Sequence, residues 1–198
     1  MREILPRVFH WVTRHPRIKI PVSSYYLADE HVLIDPLVPE EGLDSFEGRP
    51  EHVLLTNRHH YRGSGEFAER FGCKIWCVSS GMHEFQAGES VESFEFGDDL
   101  PGNIQAVEIG ALCPDETALH IRRDDGLLAL ADGVIRDGDG PLTFVPEEYM
   151  GEDSRSVKAG LRQAYRRVLE RDFDHLLLAH GDPWIEGGKE ALRTFVDG

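Results

Sequence analysis

What most constrains this chain is where its apolar runs end. Short stretches rich in Val, Ile and Leu stop at compact polar loops, and four of those loops hold most of its chemistry. They are Thr56-Asn57-Arg58-His59-His60-Tyr61-Arg62, Gly110-Ala111-Leu112-Cys113-Pro114, Ala131-Asp132-Gly133 and Ala179-His180-Gly181-Asp182. Runs of this length, bounded by turn residues, read as strands rather than helices. Ligands carried at strand ends can converge from distant parts of a chain while a rigid sheet holds them still.

Residues 8–12, 18–27 and 31–35 read as consecutive antiparallel strands, and residues 52–56 as a further strand running into the first polar loop. After that loop, residues 66–71 form a helix with Gly72 as its stop. In the strand at residues 73–78, Cys73, Ile75 and Cys77 share a face and belong to the core. Strands follow at residues 91–96, 104–109, 118–122 and 127–131. Asp153 or Ser154 caps a long helix whose apolar stripe is Val157, Leu161, Tyr165, Val168 and Leu169, with Lys158, Arg162 and Arg166 on its wet side. A strand at residues 175–179 and a helix at 188–196 complete the pattern. Runs of strands with helices between them predict an α+β, four-layer αββα sandwich with mostly antiparallel or mixed sheets, formed by a single domain over residues 1–198.

Composition narrows the partners. The chain carries a net charge of -15, its acidic residues are dispersed, and no stripe of Lys and Arg interleaves with aromatics, which argues against nucleic acid. No apolar run is long enough to span a bilayer, so no membrane partner is expected. Cys73, Cys77 and Cys113 cannot all pair with one another, and the first residues lack a signal-peptide core, which places the protein in the cytoplasm. The expected partner is a small-molecule substrate or ligand.

The order Ser24-Tyr25-Tyr26-Leu27, Leu33-Ile34-Asp35, a strand ending in Thr56 before a His-rich loop, Leu130-Ala131-Asp132 and Ala179-His180-Gly181 resembles the metallo-β-lactamase superfamily along nearly the whole chain. In that family the Thr precedes His-x-His-x-Asp-His, a later loop adds a His, an Asp bridges two metals and a last Gly-His closes the site. Mapped onto this chain, the first motif falls on Asn57, His59, Tyr61 and Arg62, and the next His on Leu112. His59, Asp132 and His180 match. Catalytic zinc normally has three protein ligands, so the resemblance implies a depleted centre, with one zinc or other divalent ion at most, or none.

Two arrangements remain open. Arg62, permanently charged, pairs with Asp132 and replaces the metal. Alternatively His60 joins His59, Asp132 and His180 around one ion, with Cys113 as a further donor. In the first, the protein is a non-catalytic anion-binding or scaffold protein. In the second it is a hydrolase-like protein acting weakly on a small ester or anionic substrate. The catalytic candidates are then Asp132, Arg62 and Tyr61, with Arg58 and Arg62 holding the substrate. A third reading is thiol chemistry at Cys113, which requires a lowered pKa. Asp35 resembles the family's structural Asp beneath the site, and Trp184, Phe85 and residues 144–149 are candidates for setting specificity.

Overall fold

The computed structural model describes all residues, Met1–Gly198. Strands β1 (Arg2–Leu5), β2 (Val8–Arg14), β3 (Pro21–Leu27), β4 (Val32–Ile34), β5 (His52–Leu54), β6 (Lys74–Val78) and β7 (Val91–Phe94) form one sheet in that order. Pairing is antiparallel from β1 to β4 and parallel from β4 to β7. Helix α1 (Ser64–Phe71) links β5 to β6. A second sheet comprises β8 (Asp99–Leu100), β9 (Ile104–Glu108), β10 (Thr117–Ile121), β11 (Leu127–Leu130) and, parallel to β11, the late strand β14 (His175–Leu178). Between β11 and β14 come a small hairpin, β12 (Val134–Arg136) with β13 (Leu142–Phe144), and helix α2 (Ser154–Val168). Helix α3 (Gly188–Asp197) ends the chain.

Alternation sorts the side chains into layers. Val32 and Ile34 point between the sheets, where they meet Ile104, Leu119, Ile121 and Leu177. Leu33 points outward with Val53, Leu55 and Ile75 onto Phe46 and Phe67 of the α1 side. On the far face, Leu128, Leu130, Leu176 and Leu178 pack against Leu161, Tyr165 and Val168 of α2 and Leu192 and Val196 of α3. Both faces of the central strands are therefore covered, so they read as continuous apolar runs. This is the expected αββα sandwich.

Asp153 caps α2 by accepting from the Ser156 amide at 2.9 Å, and Gly72, at φ 76°, ends α1. Cys73, Ile75 and Cys77 are buried in one cluster. Some elements differ from expectation. The run at residues 18–27 is strand only from Pro21, because residues 15–20 close a hairpin tip that includes Lys19 at φ 60°. Arg162 does not simply face water: it donates to the Phe195 and Val196 carbonyls near the end of α3, where a cation offsets the helix dipole. β1 and the β12–β13 hairpin escape the sequence reading altogether.

One side chain joins the sheets where the site forms. Tyr25 is fully buried, and its hydroxyl donates to the Leu178 carbonyl (2.8 Å) and accepts from the Leu178 amide (3.0 Å). Tyr25→Phe strands two buried backbone groups and is expected to cost about 1–3 kcal/mol in urea unfolding. A loss under about 0.5 kcal/mol would show that Leu178 finds other partners.

Candidate functional site

The C-terminal ends of β4, β5, β11 and β14 meet at one edge of the sandwich and carry Asp35, Thr56, Asp132 and His180. Asp35 is buried, at φ 47°, and accepts from the Thr56 amide (2.9 Å) and the Thr56 hydroxyl (2.5 Å). Asn57 then starts a tight 3-10 turn, Arg58–Tyr61, by accepting from the His59 amide at 2.9 Å. Arg58 fastens that turn to the buried Asp115, which accepts from the Arg58 amide (2.8 Å) and pairs with its guanidinium. The turn directs His60 inward and leaves His59 exposed.

His60 is held between two carboxylates. Its Nδ1 lies 2.8 Å from Asp35 Oδ2 and its Nε2 3.1 Å from Asp132 Oδ1. His180 Nε2 approaches the same Asp132 oxygen at 3.0 Å, and Asn57 Nδ2 donates to the other at 3.0 Å. His60 Nε2, Asp132 Oδ1 and His180 Nε2 thus lie within 4.8 Å of one another. The site is partly open, with Asp132 26% and His180 18% exposed, while His60 is sealed beneath them.

The electrostatics follow from these contacts. Burial and the Arg62 guanidinium pull His60 down, but Asp132 and Asp35 outweigh them and the ring is raised to about 9. Burial would raise both carboxyls. His60 and Arg62 nevertheless hold Asp35 below its ordinary value, and His60 with His180 holds Asp132 well below. Asp35 and Asp132 thus face the His60 ring and the nearby Arg62 guanidinium. Behind Asp132, the buried Glu116 accepts from the Gly133 amide (2.8 Å) and the Leu112 amide (3.2 Å), and burial raises it to about 7.

Several sequence expectations change here. Arg62 does not pair with Asp132. Its Nη1 donates to the Ser23 carbonyl (2.8 Å) and the Asp35 carbonyl (2.9 Å), buried backbone acceptors beside the site. His59 lies outside the cluster, and His60 stands where it was expected. Tyr61 turns away and packs on Phe85, ring centroids 5.7 Å apart, so it faces no reacting group. Arg58 is committed to Asp115 rather than free for a substrate. Burial pushes the Cys113 thiol up to about 12, opposite to what thiolate chemistry needs. Phe144 packs on Phe195 (4.6 Å), and Trp184 lies under the Arg136 guanidinium (4.3 Å). Asp35 braces the site as expected. The sequence reading missed the roles of Asn57 and Asp115, although an Asn ahead of a helical turn is a recognisable cap.

No family model matches the chain. Over 100 residues it is 30% identical to the leucyl/phenylalanyl-tRNA–protein transferase of Afipia carboxidovorans; this is half of the chain and 44% of that protein, so the chain spans less than half of its curated relative. Solved structures match far more of it. A β-lactamase domain protein from Burkholderia ambifaria superposes with a TM-score of 0.70 over 99% of this chain and 74% of that one, at 18% identity. For a metallo-β-lactamase family protein from Thermus thermophilus the values are 0.66, 97%, 79% and 13%. A protein solved in a di-iron-bound form gives 0.61, 92%, 91% and 17%. Layer order, sheet topology and these superpositions agree: the chain has the metallo-β-lactamase fold.

Proposed function

We propose that this is a hydrolase-like protein with a reduced centre for one divalent ion, acting weakly on a small ester or anionic substrate. The observation that carries this reading is the convergence of His60 Nε2, Asp132 Oδ1 and His180 Nε2. Two imidazoles and a carboxylate are a donor set that suits catalytic zinc with an open fourth position. The surroundings fit as well. Asp35 sits behind His60 as the carboxylate that fixes a ligand ring, and Asn57 occupies one Asp132 oxygen so that the other faces inward. No second trio of donors exists for another ion. A bound ion would supply Lewis-acid polarisation and an activated water. The chain's own residues orient the donors, and the Arg62 charge lies close behind them.

A second reading rests on the two carboxylates at His60. A ring donating from both nitrogens is itself the cation of the site, so His60, rather than Arg62, stands where a metal would. The protein is then a non-catalytic anion-binding or scaffold protein. Metal content of protein purified without chelator separates the two. The hydrolase-like reading expects about one zinc or iron per chain, lost on His60→Ala and on His180→Ala while the fold persists by circular dichroism. Metal well below one per chain that neither substitution changes would support the second reading.

A further inference from the structure

Alternation sends Tyr25 between the sheets and Tyr26 to the outer face of the first sheet, which it shares with Phe9, Trp11 and Thr13 of β2. Helix α1 covers this face farther along, over β4 to β6, but over β2 and β3 the cover is residues 36–50, which run from β4 to β5. Three bonds pin that segment down. Trp11 Nε1 donates to the Leu37 carbonyl (2.7 Å), the Thr13 hydroxyl to the Val38 carbonyl (3.2 Å) and the Arg49 amide to the Tyr26 hydroxyl (3.0 Å). Between these anchors the segment leaves a cavity of about 560 Å³, ample for a small molecule. The cavity shares no residue with the four loops of the candidate site. Its floor lies toward the end of β3 that pairs with Val8, whereas Ser23, near the start of β3, touches Arg62.

The floor is aromatic. Phe9 and Tyr26 stack with centroids 6.3 Å apart, and Phe46 of the covering segment meets Tyr26 edge-on at 5.2 Å. Gly48 lets the wall close on these rings, because a Cβ there would lie 2.5 Å from Phe46 Cε1 and 2.6 Å from Tyr26 Cε1. The rim is charged in both senses. Arg49, Glu41 and Glu47 line the cavity, all three are exposed, and none forms an ion pair within the chain. Arg7 is also at the rim, but Asp29 engages it at 3.1 Å. His31 Nδ1 donates to the Arg49 carbonyl (3.0 Å), which in the neutral ring leaves Nε2 as an acceptor. A ligand with one charge would bring it against a like charge at this rim. A ligand with both charges finds a partner for each.

We propose that this cavity is a binding site, apart from the centre around Asp132, for a small zwitterion with an aromatic body, the class of an aromatic α-amino acid. The ring of the ligand lies on Phe9, Tyr26 and Phe46, its carboxylate meets Arg49, and its ammonium meets Glu41 and Glu47. Because the two sites have no residue in common, this one stands whether or not the centre around Asp132 holds an ion.

The probes are L-phenylalanine, 3-phenylpropanoate, which lacks the ammonium, and 2-phenylethylamine, which lacks the carboxylate, each titrated into the full chain and followed by amide NMR shifts. L-phenylalanine is expected to give saturable shifts at residues 26–28 and 45–49, with affinity at least about tenfold above either analogue because both charges are engaged. Arg49→Ala is expected to weaken L-phenylalanine about tenfold without weakening 2-phenylethylamine. Glu41→Gln with Glu47→Gln is expected to weaken it about tenfold without weakening 3-phenylpropanoate. All three side chains are exposed, so the circular dichroism spectrum and metal content should not change. Equal affinity for the zwitterion and either analogue, unchanged affinity in either variant, or no saturable shift around the cavity each overturns the proposal.

Discussion

Gly181→Ala should be among the most damaging single substitutions available in this chain, with an expected loss of about 3 kcal/mol or more. Gly181 adopts φ 94°, a region that alanine enters only under strain. A Cβ there would also collide with the Arg136 carbonyl oxygen, and would meet the Arg136 Cβ at 2.7 Å and its carbonyl carbon at 2.9 Å. Backbone cannot swing aside as a flexible side chain would. The Arg136 amide donates to the His180 carbonyl (3.1 Å), so any shift moves His180 away from Asp132. Gly72→Ala is the control, since Gly72 has φ 76° with nothing within 4 Å of the added carbon. Its cost is strain alone, about 1 kcal/mol. Equal losses in urea unfolding for the two variants would show that the Arg136 contact is not what constrains the loop.

Asp35→Asn is the second large effect. The buried carboxylate serves the Thr56 amide, the Thr56 hydroxyl and His60 together, and the Arg62 charge is near. An amide keeps one acceptor and sets an N–H against these donors. Breaking a buried pair in this way is expected to cost about 3–5 kcal/mol, which lowers Tm on the order of 10 °C for a chain of this size. The pH dependence carries the sign. Asp35 is held below its ordinary value, so its contribution is present above about pH 4 and is lost as the pH falls through its lower folded-state pKa. The gap between wild type and variant should therefore be wide at pH 7 and narrow in acid. A gap that stays constant down to pH 2 would mean that the charge on Asp35 contributes nothing and only its shape matters.

Much of the architecture could be read from the residues because local and global preferences agree. Val32-Leu33-Ile34 is apolar on both faces because both faces are covered, and Asp153 and Gly72 sit where capping chemistry puts them. The site was legible in its loops but not in its register. Whether His59 or His60 points inward depends on a 3-10 turn held by Asp115, 57 residues away, and no local pattern carries such a pairing. Arg62 was misread for a related reason. Its partners are the backbone carbonyls of Ser23 and Asp35, and a carbonyl leaves no mark on residue identity. β1 escaped notice because its burial is slight and its charged residues break the apolar run.

The Tyr25 contact with Leu178 joins positions 153 residues apart. Such long-range closure makes the chain a high-contact-order folder, in which local hairpins alone cannot form the edge that carries the candidate site. That edge is whole only with the late strand β14 paired beside β11, which brings His180 to Asp132. A nascent chain in which β14 has not yet been made would hold Asp35, His60 and Asp132 in sequence yet lack their partner His180, and the candidate site could form only once that strand is available.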